Sequence, residues 1–545
     1  MSEKITVGEA IARTLEHYRV ATIYGIISIH NLPIADAVGQ RGAIRFVPAR
    51  GEAGAVTMAD ADGRFSGLGV ALTSTGAGAG NAVGAMIEAL NANTPLLHIT
   101  GQVEKAYLDA DAGFIHETKD QLNFLRACSK QAYRVHSPQQ AVAVIQRAIL
   151  EAQTVPCGPV AVEIPIDIQN SLIPANLVGE AISPPPLPAA DGHAVERLYQ
   201  RLKNAKRPLL WVGGGALACS EAVKKLADVG VAVISSSHGR GILPDSHPRS
   251  LRAFHNSPSV EAIIRQCDLT LVAGSRLRSN ETRTWSLALP QPLVQIDINP
   301  AAANRNYLAD EQIHGDCQAL LNALAARFSI GEKVDSIWDD EIATAVQLAE
   351  TALREQCGEY AKLNDAIDKA LPADGLLVRD ITVSGSVWGS RLFRAHAALH
   401  NIHSLAGAIG MGLPMAIGCA IANPQRKVVG LVGDGGLALG LGELATMVQE
   451  QTNITLLIMN DGGYGVMRGI QEKYFAGRQY YNQLHTPAFC ELAQAMGLKA
   501  WKVSSAAQFD NVLAEAINYC GPSVVEVEMQ HIGALNFAGP PQKLY

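Results

Sequence analysis

Two aspartates, each set among glycines at the end of an apolar run, are the residues of this 545-residue chain best placed to do chemistry. They are Asp434 in LVGDGGLALG (431–440) and Asp461 in NDGGYG (460–465), 27 residues apart. Either turn alone needs no function, because glycine and aspartate are common wherever a loop requires positive φ. The pair carries more. KVVGLV (427–432) and ITLLIMN (454–460) read as buried strands, and LALGLGELATMVQE (437–450) between them reads as a helix. In a right-handed β-α-β unit both turns fall at the carboxyl ends of parallel strands, where open α/β sheets bind ligands. Two hard carboxylates brought together there, with phosphate oxygens and waters completing an octahedron, suit Mg²⁺. The N–H groups freed by glycine suit the phosphates themselves.

The rest of the chain supplies the frame that such a site needs. ATIYGI (21–26), LGVALTST (68–75), TPLLHIT (94–100), GPVAVEIP (158–165) and PLLWVGGG (208–215) are short apolar runs closed by Gly, Pro or Ser, and helical patterns such as NAVGAMIEALNA (81–92) lie between them. That alternation predicts an α/β protein of doubly wound parallel sheets. ISPPPLPAADGH (182–193) cannot continue either element and reads as a linker. A polar helical stretch over 331–375 separates the strands PLVQIDINP and LLVRD. Three domains are therefore expected, at 1–181, 190–335 and 355–535.

Composition narrows the partners. A net charge of −7 with no run of lysine or arginine offers no electrostatic footprint for nucleic acid or anionic lipid. Nine cysteines without CxxC spacing argue against a disulfide framework or a zinc site and for a reducing, cytoplasmic setting. The first 20 residues carry acids and read as an amphipathic helix rather than a signal peptide, and no apolar run reaches the about 20 residues that span a bilayer.

The run GDGGLALGLGELATMVQEQTNITLLIMNDGGYG resembles the thiamine diphosphate signature, a GDG followed by a polar turn after the next apolar strand. PARGEAGAVTMADADGRFSGLGVALTSTGAGAGNAVGAMIEALNANTPLLHITGQ (48–102) and SLAGAIGMGLPMAIGCAIANP (404–424) are similar to the pyrimidine-binding and diphosphate-binding domains of the acetolactate synthase and benzoylformate decarboxylase superfamily. The resemblance implies a pyrimidine domain, a central Rossmann-like domain and a diphosphate domain in that order. It implies thiamine diphosphate and Mg²⁺, decarboxylation of a 2-oxo acid through a C2 ylide and an enamine, and a homodimer or homotetramer whose chains share each active site.

Residue by residue, the resemblance puts Glu52 against the pyrimidine ring as the acid–base group. It puts Thr382, Gly407, Ile409, Gly433, Asp434, Gly435, Gly436, Asp461, Gly463, Tyr464 and Gly465 around the cofactor. Among these Ile409 is the wedge under the ring, and Asp434, Asp461 and the Gly463 carbonyl are the metal ligands. Relatives more often carry Asn where this chain has Asp461, so the site holds one extra negative charge.

Other departures bear on the substrate. YGIISIHN (24–31) replaces the Phe-Gly-x-Pro-Gly of relatives, and the adjacent His-His pair of pyruvate decarboxylases is missing. His30, His116 and His403 lie in segments that line the pocket in relatives and are candidate proton donors. Arg50, Lys119 and Arg468 are candidate partners for a substrate carboxylate. WVGGGA (211–216) lacks GxGxxG and an acid placed for a ribose, so FAD is not expected and the central site reads as empty or vestigial. The same lack disfavours a nicotinamide-dependent dehydrogenase. Retention of Glu52, Asp434 and Asp461 together disfavours a catalytically silent subunit. Aldehyde release and acetolactate-type carboligation both remain open.

Overall fold

The computed structural model describes residues 3–535. Three separate parallel sheets carry the chain. The first orders its strands Arg45–Pro48, Thr22–Gly25, Gly69–Thr73, Leu96–Gln102, Pro159–Pro165, Gln131–Arg134. The second runs Ala232–Ser235, Pro208–Val212, Leu269–Ala273, Leu293–Asp297, Glu311–His314. The third runs Asn401–His403, Leu376–Arg379, Val428–Gly433, Ile454–Asn460, Ser523–Glu528, Lys499–Val503. Numbered within its own sheet, the first and the third share one topology, 2-1-3-4-6-5. The order reverses between their first and third strands, and a reversal of that kind opens a crevice at the carboxyl ends. A two-stranded antiparallel ribbon pairs Lys4–Thr6 with Leu172–Pro174. No helix among the described residues is long and apolar enough to cross a membrane.

Helices cover both faces of each sheet, and two of them join the first and third units. Helix Glu52–Ser66 packs on helix Gly412–Ala422, burying Ala55, Val56 and Ala59 with Leu413, Ala416 and Ile417. The approach is so close that a Cβ on Gly418 would stand 2.3 Å from the Met58 carbonyl oxygen. The polar stretch after 331 is an amphipathic helix, Asp339–Cys357, whose Ile342, Ala345, Ala349 and Leu353 recur at helical spacing and join Val260 and Ile264 in one core. Trp338, fully buried, donates its indole N–H to the Pro208 carbonyl at 3.0 Å and anchors that helix to the central unit.

A buried ion pair ties the central and third units together. Arg240 donates to Asp245 and to the carbonyls of Ser390 and Phe393, and Asp245 accepts from the Ala395 N–H at 2.9 Å. Arg240→Ala is expected to cost about 3–5 kcal/mol, because it strands a buried carboxylate. A lowered urea midpoint checks this, and an unchanged one refutes it.

Candidate active site

The carboxyl ends of the third sheet's strands enclose a cavity of about 300 Å³. Strand Leu376–Arg379 leads to Thr382 on its wall, strand Val428–Gly433 to Asp434, and strand Ile454–Asn460 to Asp461. Parallel pairing sets Gly433 beside Met459, which brings the two following aspartates together: the Asp461 N–H donates to Asp434 Oδ1 at 3.3 Å. Gly407, Ile409, Gly433, Gly435, Gly436, Gly463, Tyr464 and Gly465 line the same cavity. Every residue expected around the cofactor, Glu52 apart, therefore lines one cavity.

Glycine is required at two of these positions. Gly463 has φ +143°, and a Cβ there would stand 2.2 Å from the Asn482 carbonyl oxygen. At Gly435 a Cβ would stand 2.9 Å from the Gly463 carbonyl oxygen and from the Tyr464 ring, so the two turns touch backbone to backbone.

The electrostatics are those of two desolvated carboxyl groups held close together. Burial, and then the neighbouring Asp461, push Asp434 up to about 6. Its Oδ2 is buried with no hydrogen-bond partner. Burial also raises Asp461, against the opposing pull of Arg468, whose guanidinium stands 2.8 Å from Asp461 Oδ1 and also donates to the Asp461 carbonyl. Among the described residues no group of three or more His, Cys, Asp or Glu side chains is arranged to hold a metal ion. A metal here would thus take two carboxylates, a backbone carbonyl and oxygens from its ligand or water, which is the donor set of Mg²⁺ with a diphosphate. The residues fit that group.

A second cluster occupies the matching end of the first sheet. Glu52 follows strand Arg45–Pro48 as the first residue of its helix and accepts from the Asn81 amide at 3.2 Å. His30 follows strand Thr22–Gly25 and His116 follows strand Leu96–Gln102; their Nδ1 atoms stand 3.3 Å apart. One of the two nitrogens must carry a proton for that contact to be a hydrogen bond. Burial, and then His116, hold His30 below its ordinary value. His30 is buried, whereas His116 is exposed at φ +66°.

His403 joins neither cluster. It is buried at the edge strand of the third sheet, where burial and then Arg379 hold it well below its ordinary value, and its carbonyl accepts from Arg64. Arg50 is engaged with the Pro48 carbonyl and Gln449 across the contact between the first and third units, and Arg468 with Asp461. Lys119 is exposed in the loop after His116.

Sequence reasoning missed several residues. Ser384, shortly after strand Leu376–Arg379, lines the cavity with Met459, Val466, Met467 and Met529, and its Oγ is buried and unpartnered. The signal for it was the DITVSG turn that follows an apolar strand. A second cavity, of about 430 Å³, lies where the central unit meets the first, among Gly214, Gly274, Arg276, Arg278 and Asp297. Asp297 is an acid at a strand end there. It lies outside the frame of WVGGGA because it ends a strand two places away in the sheet.

Three family models match the chain in order. They are the thiamine pyrophosphate enzyme N-terminal TPP binding domain over residues 5–124, the central domain over 195–324 and the C-terminal TPP binding domain over 383–527. A probable 2-ketoarginine decarboxylase of Pseudomonas aeruginosa is 30% identical over 85% of this chain and 83% of its own length. A probable acetolactate synthase large subunit of Methanocaldococcus jannaschii is 26% identical over 98% and 94%, and the acetolactate synthase isozyme 1 large subunit of Escherichia coli is 26% identical over 97% and 94%.

Proposed function

The chain belongs to the thiamine pyrophosphate enzyme family, and we propose that it uses thiamine diphosphate and Mg²⁺ to decarboxylate a 2-oxo acid and release an aldehyde. The observation that carries this reading is the meeting of Asp434, Asp461 and their glycine turns with Ile409 in one cavity. The unpartnered Oδ2 of Asp434 supports a bound cation there. When bound, the cofactor supplies a nucleophilic carbon and an electron sink that lets CO₂ leave.

The protein's own part is to hold and move protons and to exclude water. Asp434, Asp461 and the Gly463 carbonyl would hold the metal, and Ser384 and Thr382 would face the diphosphate. Gly407 and Ile409 would hold the ring, and Glu52 would keep a proton against the pyrimidine. The methionine-rich wall favours loss of a carboxylate's charge, because a poorly solvating surface stabilises the ion least. Nothing in decarboxylation or carboligation changes oxidation state overall, so the reading needs no flavin.

Glu52 is not on the wall of the Asp434 cavity, and this supports a site completed by a second copy of the chain. Ile27, Ile29 and Ile115 stand at least 60% exposed beside the histidines, as does Leu439 beside the cofactor turns, so each cluster has an apolar rim to bury. A homodimer or homotetramer follows, to be read by sedimentation. The nine unpaired cysteines suit a reducing compartment such as the cytoplasm.

CO₂ release from a panel of aliphatic, aromatic and charged 2-oxo acids, 2-ketoarginine among them, tests the reading with and without each cofactor. Release that needs both supports it, and no release from any acid overturns it. A 2-hydroxy ketone in place of an aldehyde would favour the second reading, acetolactate-type carboligation, which the full-length likeness to acetolactate synthases supports. The His30–His116 contact favours the aldehyde, since it can deliver a proton. His30→Ala and His116→Ala are each expected to lower aldehyde formation about 10²-fold. His403→Asn should leave kcat within about threefold, as His403 is not on the wall of the cofactor cavity. Equal losses in all three variants would remove the pair from the mechanism.

A further inference from the structure

The segment Ser404–Gly410 carries Gly407 and Ile409 to the cofactor cavity without being helix or strand. Something outside its own backbone must fix it. At one end, the Gly410 N–H donates to the buried carboxylate of Asp380, at 2.9 Å to Oδ2. At the other end the acceptor belongs to a different unit. Glu88, on helix Ala77–Ala92 and fully buried, accepts from Ser404 Oγ at 2.8 Å, from the Leu405 N–H at 2.6 Å and from the Ala406 N–H at 2.8 Å.

Charge explains why this grip is firm. Arg64 pairs with both Asp60 at 2.6 Å and Glu88 at 3.1 Å, and all three side chains are at most 4% exposed. One guanidinium thus faces two carboxylates, and the three donors of 404–406 satisfy the charge left over. Charge-assisted bonds of this kind are about twice as strong as neutral ones. A buried carboxylate that lost them would bear its full desolvation cost. Arg64 adds a further bond, donating to the His403 carbonyl at 3.1 Å just before the segment.

We propose that Glu88 is a positioning residue: across the boundary between units it sets the segment 404–410, and through it Gly407 and Ile409, against the cofactor. It touches no cofactor or substrate itself. The proposal rests on the cofactor reading above, and its test is built to separate the two.

The full-length chain, wild type and as Glu88→Ala, Glu88→Gln and Ser404→Ala, is compared by hydrogen exchange without cofactor and by calorimetric titration with thiamine diphosphate and Mg²⁺. In Glu88→Ala, exchange of the 404–410 peptide is expected to rise about tenfold, the factor for losing hydrogen bonds to a charged group. Peptides of strands Val428–Gly433 and Ile454–Asn460 should hold their rates. Cofactor affinity should fall about tenfold while kcat at saturating cofactor stays within about threefold. Glu88→Gln, which keeps one acceptor oxygen, and Ser404→Ala, which removes one donor, should fall between Glu88→Ala and wild type in both readouts.

Unchanged exchange at 404–410 in all three variants overturns the proposal. So does acceleration spread evenly over the chain, which would mark a merely structural role, or faster exchange with undiminished affinity. A wild-type chain with no affinity for thiamine diphosphate would overturn the cofactor reading, and the exchange rates would still decide the clamp.

Discussion

Glu52→Gln is expected to lower turnover of a 2-oxo acid by about 10²–10⁴-fold, the usual contribution of a positioned acid–base group. Glutamine keeps the length of the side chain and an oxygen able to accept from Asn81, so the helix start at Glu52 keeps its local contact. What it loses is the ability to give and take a proton. Any change of charge in the first turn of helix Glu52–Ser66 is worth about 0.3–1 kcal/mol, too little to account for the loss of rate. Cofactor affinity measured alongside should change far less than kcat. Near-normal turnover would dismiss Glu52 from the chemistry, and a loss confined to affinity would reduce it to a binding group.

Much of the frame was legible because parallel strands buried on both faces are near-continuous apolar runs, which punctuation by Gly and Pro delimits. Strand Ile454–Asn460 falls where ITLLIMN was read, and the pairing of Asp434 with Asp461 follows from topology alone. The helix read over 437–450 is instead three short pieces, Asp434–Leu437, Ala438–Gly440 and Glu443–Gln449, because Gly440 and Gly442 weaken the middle. The stretch after 331 looked polar because only one stripe of helix Asp339–Cys357 is apolar.

Contacts between distant charges were beyond reach. Glu88 meets Ser404 across 316 positions, and nothing in MIEAL marks its carboxylate as buried. Arg468 looked available for a substrate until the fold turned it onto Asp461. His403 looked like His30 and His116 from sequence, yet burial among arginines sets it apart. The matching 2-1-3-4-6-5 topology of the first and third sheets emerges only from the strand pairing.

Asp434→Ala should release the metal and with it the cofactor, lowering the affinity for thiamine diphosphate with Mg²⁺ by about 100-fold or more, since even the outer partners of a metal ligand are worth 10–100-fold. Asp461 behaves differently because its charge is already countered by Arg468 at 2.8 Å. With a divalent cation and a diphosphate bound beside the two aspartates, the site would carry an excess of negative charge that the guanidinium would offset. Arg468→Ala should therefore weaken cofactor binding about tenfold, or about 1.4 kcal/mol. Asp461→Asn removes the charge that Arg468 offsets and should cost little. In the double variant Asp461→Asn with Arg468→Ala the affinity should return to within about threefold of wild type, a coupling that only residues acting on one another produce. Titration of all four proteins with thiamine diphosphate and Mg²⁺ measures it. Additive losses would mean that Arg468 acts on the cofactor independently of Asp461, and an unchanged affinity in Arg468→Ala would free it for the substrate carboxylate that its type first suggested.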